Sequence, residues 1–226
     1  VLFRSPHALI HPRSSLFVAT TGQEDLLREQ WELLRQTSPN LQRLDAAHAC
    51  ALFPVLQPDK VCGALLDPDT CDMDVDALLQ GFLRGVRQAG GQIVTQAEVK
   101  QMRREKDGLW HVQSADRTFI APVVVNAAGA WADEIARLAG AEPLGLEPRR
   151  RSAFTFSVSE GMDTAAWPMA IGIAENWYIK PDAGQLLGSP ANADPTHPHD
   201  VVPEELDVAT GIYHIEELTT FQIRRP

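Results

Sequence analysis

The chain has 226 residues, 44% hydrophobic and 22% charged, enough for one large domain or two small ones with a real core and too apolar for bulk disorder. Its formal net charge is -10 and its only basic runs are Arg149-Arg150-Arg151 and Arg224-Arg225, so it offers no concentrated basic face to nucleic acid. No apolar run reaches the roughly 20 residues that span a bilayer, and the start carries no signal-peptide pattern. The three cysteines, Cys50, Cys62 and Cys71, lack C-x-x-C spacing and read as reduced thiols in a cytoplasmic protein.

In chain order, Ser15–Thr20 reads as a strand, and Thr21 is placed to cap a helix over Gln23–Gln36, where Leu27, Trp31 and Leu34 recur on one face. Pro39 and Asn40 end it. A short helix over Asp45–Leu52 closes at Pro54, and Val61–Leu66 reads as a strand leading into the acidic stretch Asp67–Asp76. The strongest helix follows: Asp74 caps it, Val75, Leu78, Leu79, Phe82, Leu83 and Val86 form its apolar stripe, and Gly90-Gly91 stops it. Gln92–Arg104 reads as a strand, Lys106-Asp107-Gly108 as a hairpin turn, and Leu109–Ser114 as the partner strand. Thr118–Ile120 gives another strand. The apolar run Val123-Val124-Val125 is expected to be buried on both faces of a parallel sheet. Ala130–Ala139 is a helix with Gly140 beyond it. The last third has no long helical pattern; Ser152–Val158, Trp177–Ile179, Leu186-Leu187 and Ile212–Leu218 read as strands of an antiparallel sheet.

The most informative segment is Val123 to Gly140, where the apolar run enters Asn126-Ala127-Ala128-Gly129 and passes straight into a helix. Small residues at such a junction leave room for another backbone or a ligand, and a helix start favours an anion such as a pyrophosphate. An ordinary tight turn between strand and helix explains the same residues equally well.

Val124-Val-Asn-Ala-Ala-Gly-Ala-Trp131 resembles the second nucleotide-binding segment of the glycine/D-amino-acid oxidase family of FAD-dependent oxidoreductases. Met73 to Arg84, Ala89-Gly-Gly-Gln-Ile-Val94 and Ala97-Glu-Val99 are similar to that family's helix, glycine turn and strand. Asn176-Trp-Tyr-Ile-Lys-Pro181 with Gly184-Gln-Leu-Leu-Gly188 resembles a hairpin of its substrate domain, and Leu44 to Leu56 is similar to a further segment. The resemblance implies an α/β (α+β) fold: a partial FAD/NAD(P)-binding domain plus a mixed, largely antiparallel substrate domain. It divides the chain into a starting segment with its helix over 1–40, substrate-domain segments over 41–72 and 143–226, and an FAD-binding segment over 73–142. It implies FAD as cofactor, flanked by Val99, Ala127, Ala128, Gly129 and Trp131, with Tyr178 facing the substrate as a catalytic candidate and Arg224 as a carboxylate partner. The implied reaction is oxidation of the C–N bond of an amino acid or related amine by hydride transfer to flavin. Two alternatives stay open: oxidation of a hydroxy compound, as in glycerol-phosphate dehydrogenases of similar architecture, and a non-catalytic binding module on the same scaffold.

The chain departs from that family in two respects: no two of its fifteen glycines stand as G-x-G, so the pyrophosphate-binding G-x-G-x-x-G fingerprint is absent, and the family's closing segment, which the resemblance implies supplies a substrate-binding arginine, would begin near or beyond Pro226. With a start at Val1 and a stop at Arg225-Pro226, the chain is expected to be an internal piece that binds FAD weakly and is inactive alone. Val1–Ser5 reads as a translated sequencing adapter. The acidic residues Asp67, Asp69, Asp72, Asp74 and Asp76 lack the turn glycine and closing Glu of a calcium loop, and His197-Pro-His199 with Asp194 and Asp200 reads as a solvated loop, so no metal site is expected. Arg149-Arg150-Arg151 reads as a charged strand entry.

Overall fold

The computed structural model describes residues 8–224; the adapter reading of Val1–Ser5 and the second residue of Arg224-Arg225 lie outside them. In chain order the elements are β1 (Ile10–Pro12), β2 (Ser15–Thr20), α1 (Glu24–Leu34), β3 (Gln42–Leu44), α2 (Ala46–Leu52), β4 (Val61–Asp67), β5 (Cys71–Met73), α3 (Val75–Gln88), β6 (Gln101–Arg104), β7 (Trp110–Gln113), β8 (Thr118–Ala121), α4 (Ala132–Leu138), β9 (Arg149–Arg150), β10 (Phe154–Phe156), β11 (Met169–Gly172), β12 (Tyr178–Asp182), β13 (Gln185–Ser189), β14 (Asp194–Pro195) and α5 (Glu205–Leu218). The described residues form two units: one holds Leu79–Arg150 and Asp194–Val201, the other residues 8–78, Arg151–Ala193 and residues 202–224.

The larger unit is built on a seven-stranded sheet in the order β10-β13-β12-β11-β2-β4-β3, antiparallel throughout except where β2 and β11 run parallel. Alternation along the strands gives the sheet two faces. On one face Leu16, Val18, Ala64, Ala170, Ile179 and Leu186 pack with residues of the α2 and α5 regions, among them Phe53 and Ile215, into the main core. On the other, α1 lays Leu27, Trp31 and Leu34 against Phe17 and Leu65. Gly63 makes that approach possible, since a Cβ there would stand 3.2 Å from Leu27 Cδ2. A separate ribbon pairs β1 with β5, setting His11 opposite Asp72.

Local capping agrees with the sequence at α3, departs from it at α1, and at α2 makes a cap of Asp45, read from the sequence as the first helical residue. Asp45 accepts from the His48 N–H at 2.9 Å and Asp74 from the Ala77 N–H at 2.8 Å, satisfying donors that each helix start leaves open. Thr21 does not cap α1. Gln23 occupies the N-cap without a side-chain bond to the helix, and its Oε1 instead accepts from the Thr20 N–H at 2.9 Å. At the β12–β13 hairpin the two loop residues Ala183 and Gly184 have φ of +47° and +83°, the left-handed pair of a type I′ turn. Alanine pays a steric penalty there that asparagine largely avoids. Ala183→Asn is therefore expected to raise the unfolding free energy by about 0.5–1 kcal/mol in urea titration; no gain would mean the turn is not strained.

The last third holds a long helix where strands were expected. Ile212–Leu218 is part of α5, not a strand. The helix packs so closely that a Cβ on Gly211 would come within 2.8 Å of Phe154 Cε1 and 2.9 Å of Pro190 Cδ.

The smaller unit carries the antiparallel β6-β7-β8 sheet, the β9/β14 pair, α4 and most of α3. The hairpin at Asp107-Gly108 forms as expected, with Gly108 at φ +84°. Two expectations fail here. Of Gln92–Arg104 only Gln101–Arg104 is in a ladder. Val123–Val125 is not a strand at all, and Val123 and Val125 are 71% and 81% exposed. The reason is shared: among the described residues nothing pairs with either segment, and a strand without a partner cannot satisfy its backbone. On α3, Leu78 and Leu83 are half-buried and Phe82 is 59% exposed.

Candidate functional site

The open part of the large sheet carries a cavity of about 570 Å³, formed wholly within the larger unit. Its floor follows from the strand register. Phe17 on β2, Ile171 on β11 and Tyr178 on β12 are successive cross-strand partners, and Lys180 stands opposite Leu187 on β13. All of these line the cavity, because residues two apart on a strand share a face while Trp177, Ile179 and Leu186 point into the core. Met169 adds a further apolar wall; Asp72, Arg151 and Glu175 supply the remaining charges. Glu175 holds φ +53°, an uncommon backbone for a side chain with a Cβ.

A charge network braces one wall. Asp72 receives hydrogen bonds from Arg13 Nε and, at 3.2 Å, from Lys180 Nζ. Arg13 also donates from Nη1 to the Trp167 carbonyl at 2.5 Å. Burial acts to raise the Asp72 carboxyl, but the hydrogen bonds and charges of Arg13 and Lys180 outweigh it and hold the group below its ordinary value. Lys180 has a second carboxylate, Asp182, at 3.7 Å. Neither Lys180 nor Asp72 stood out as a site residue in the sequence. The alternation Tyr178-Ile179-Lys180 is the signal that places Lys180 beside Tyr178; Asp72 has none, because its partners lie 59 and 108 positions away.

Within the smaller unit, the turn after the valine run is braced by Asn126. Its Nδ2 donates to the Ala132 carbonyl at 2.8 Å and its Oδ1 accepts from the Ala128 N–H at 3.3 Å. Gly129 has φ +56° and opens a 3₁₀ turn, Gly129–Trp131, that leads into α4. A Cβ built on Gly129 meets no atom within 4 Å. Ala127 and Gly129 are exposed, Ala128 is half-buried and Trp131 is 40% exposed. Val99 is half-buried, just before the point where the Lys100 N–H bonds the Gln113 carbonyl at 2.8 Å. Asp133 in α4 accepts from the N–H groups of Leu144, Gly145 and Leu146 at 2.9, 2.9 and 3.0 Å. The Leu144 bond leads in holding its carboxyl below the ordinary value, with burial opposing.

Other sequence features resolve into separate partnerships. Asp67 accepts from Ser38 Oγ at 2.6 Å and Asp69 from Asn40 Nδ2 at 2.7 Å, so the acidic stretch is dispersed. The His197 and His199 rings stack 4.5 Å apart. Among the described residues no group of three or more His, Cys, Asp or Glu could hold a metal ion, and no helix is long and apolar enough to cross a membrane. Arg224 is exposed in coil outside the cavity lining.

The chain is 26% identical over 140 residues to mitochondrial dimethylglycine dehydrogenase from Homo sapiens, covering 62% of this chain and 16% of that protein. Its fold matches L-proline dehydrogenase from P. horikoshii with a TM-score of 0.76 at 20% identity, over 93% of this chain and 57% of that one. Glycine oxidase from Geobacillus kaustophilus matches with a TM-score of 0.73 at 20% identity, over 94% of this chain and 55% of the other. The chain thus spans little over half the length of these structures and less than a fifth of the dehydrogenase. The family model DAO, FAD dependent oxidoreductase, matches residues 2–218. With nearly its whole length so matched, on the mixed α/β fold these proteins share, the chain belongs to the DAO family of FAD-dependent oxidoreductases.

Proposed function

We propose that the protein, when full length, oxidises the C–N bond of an amino acid or related amine, and that the cavity on the large sheet receives this substrate. The observation that carries the reading is the cavity. At about 570 Å³ it has the size of a small-molecule site, with an apolar floor and a few convergent polar groups, Tyr178 among them. Phe17, Ile171 and Leu187 would enclose the alkyl part of an amine, Tyr178 would meet its polar end, and Asp72 keeps Lys180 from presenting an unbalanced cation to it.

Val99, Ala127, Ala128, Gly129 and Trp131 are the residues we assign to FAD. They fit one flank of an extended dinucleotide: the side chains are small or accessible, and the space beside Gly129 is open. The G-x-G turn that grips a pyrophosphate is not in this sequence, so these residues would hold the cofactor from one side only. When bound, FAD supplies the hydride-accepting chemistry, and the protein supplies binding and orientation. The substrate loses its α-hydrogen with two electrons and its amine proton, and the resulting imine hydrolyses to a carbonyl compound and the free amine.

The test is anaerobic titration of the flavin-loaded full-length protein with N-methylglycine, L-proline and L-lactate, following flavin absorbance. Bleaching by the amines and not by lactate is expected. Bleaching by lactate alone replaces the reading with oxidation of a C–OH bond, and a protein that retains no flavin removes the cofactor assignment.

A further inference from the structure

Part of the cavity wall is held in a backbone conformation that side chains rarely adopt. Four described residues other than glycine have a positive φ, and two of them, Glu175 at +53° and Ala191 at +52°, line this one cavity. Such a conformation is costly for any residue with a Cβ, and it persists only where the surroundings over-determine it.

Around Ala191 they do. Its N–H donates to the Oγ of buried Ser189 at 2.9 Å. Ser189 Oγ donates in turn to the Ser152 carbonyl at 2.6 Å, and Ser189 is the ladder partner of Tyr178. On one side of Ala191, buried Pro190 packs against α5, where a Cβ on Gly211 would come within 2.9 Å of its Cδ. On the other side Asn192 is tied down at both ends of its amide. Its Oδ1 accepts from the Ser152 N–H at 2.9 Å, and its Nδ2 donates to Asp207 Oδ2, in the first turn of α5, at 3.0 Å. Ser152 Oγ reaches the same Asp207 oxygen at 2.6 Å. The residues before and after Ala191 are therefore both fixed to α5. A methyl group on a free loop yields to a larger ligand, whereas a methyl group held between two such anchors behaves as packed interior does and resists displacement.

We propose that Ala191 is a specificity-determining residue: its methyl group is a fixed wall that limits the size of the substrate, and Asn192 and Asp207 are positioning residues that hold the wall in place. The inference rests on the reading that this cavity receives the amine. Glycine is the residue this backbone favours, and it would leave the wall one methyl group short. Asparagine tolerates the same φ and is larger, so the wall can be moved in either direction without adding backbone strain.

The flavin-loaded full-length protein is reduced anaerobically with N-methylglycine and with N-isobutylglycine, and kred/Kd is read for each from flavin absorbance. In Ala191→Gly the ratio of the bulky to the small amine rises about ten-fold over wild type, and in Ala191→Asn it falls about ten-fold, the lower end of what one methylene is worth in an apolar pocket. Asp207→Asn leaves the methyl group in place but loosens the loop, and it raises the ratio by less than Ala191→Gly does. Urea unfolding separates selectivity from folding, since Ala191→Gly is expected to be at least as stable as wild type. A ratio within about two-fold of wild type in both Ala191 variants overturns the assignment and leaves the positive φ a matter of the turn alone. Leu187→Ala, on the cavity floor, tells two failures apart. If it shifts the ratio and the Ala191 variants do not, the wall assignment falls and the cavity reading stands; if none of the three shifts it, both fall. If hydroxy acids and not amines reduce the flavin, only the amine reading falls, and lactate against 2-hydroxy-4-methylpentanoate then gives the ratio that tests Ala191.

Discussion

Replacing Trp177 with alanine is expected to lower the unfolding free energy of the chain by about 3–5 kcal/mol, the range for removing a large buried aromatic. The indole is 1% exposed in the main core. It packs against β11 so tightly that a Cβ on Gly172 would come within 2.5 Å of its Nε1. The cost has two sources, the lost transfer of the indole from water and the void that a rigid sheet cannot close. Against a typical domain stability of about 5–15 kcal/mol, that loss leaves the larger unit marginal at body temperature. Because Trp177 precedes Tyr178 on the strand and sits under β11, the floor residue Ile171 and Tyr178 should loosen as well. Tyr178→Phe is the companion variant; its side chain lies on the cavity face, so it should cost less than about 1 kcal/mol. Urea unfolding of both checks the pair, and a Trp177→Ala loss no larger than that of Tyr178→Phe would contradict the core packing described here.

Asp72→Ala is expected to cost about 1–2 kcal/mol near neutral pH, a value reduced from that of a fully buried pair because the carboxylate is 26% exposed. It removes the acceptor shared by Arg13 and Lys180 and unties the β1–β5 ribbon from β12. The pH dependence gives an independent check. The folded carboxyl sits below its ordinary value of 3.8, so its contribution is fully present above that value and is lost as pH falls through the lower folded value. The gap between wild type and Asp72→Ala should therefore be constant from neutral pH down to about 4 and close below it. A gap that does not change in acid would mean that the carboxylate's charge plays no part.

Features written within a few residues were legible in the sequence. Asp74 caps its helix because a cap and its N–H donor are three residues apart. The Asp107-Gly108 hairpin forms because Gly108 accepts a positive φ that the turn needs. Helix α5 was misread although Val208, Ile212, Ile215 and Leu218 stand at helical spacing. Its β-branched residues and Gly211 pointed the other way locally, and packing against Phe154 and Pro190 decided it. Val123–Val125 failed for the opposite reason. The segment has strand composition, but a strand exists only with a ladder partner, and none is present among the described residues.

By itself the sequence determined the mixed α/β class, the α3 cap and the Asp107-Gly108 turn, the FAD-dependent family, and the alternation that puts Tyr178 and Lys180 on one face of a strand. These are local matters of spacing, backbone preference and short motif. Only the tertiary structure decided that β2, β11, β12 and β13 align their open faces into one cavity, and that Asp72 receives both Arg13 and Lys180. Each of those depends on side chains far apart in the chain brought to within about 3 Å, and such pairings are set by sheet register and core packing, which no local pattern encodes.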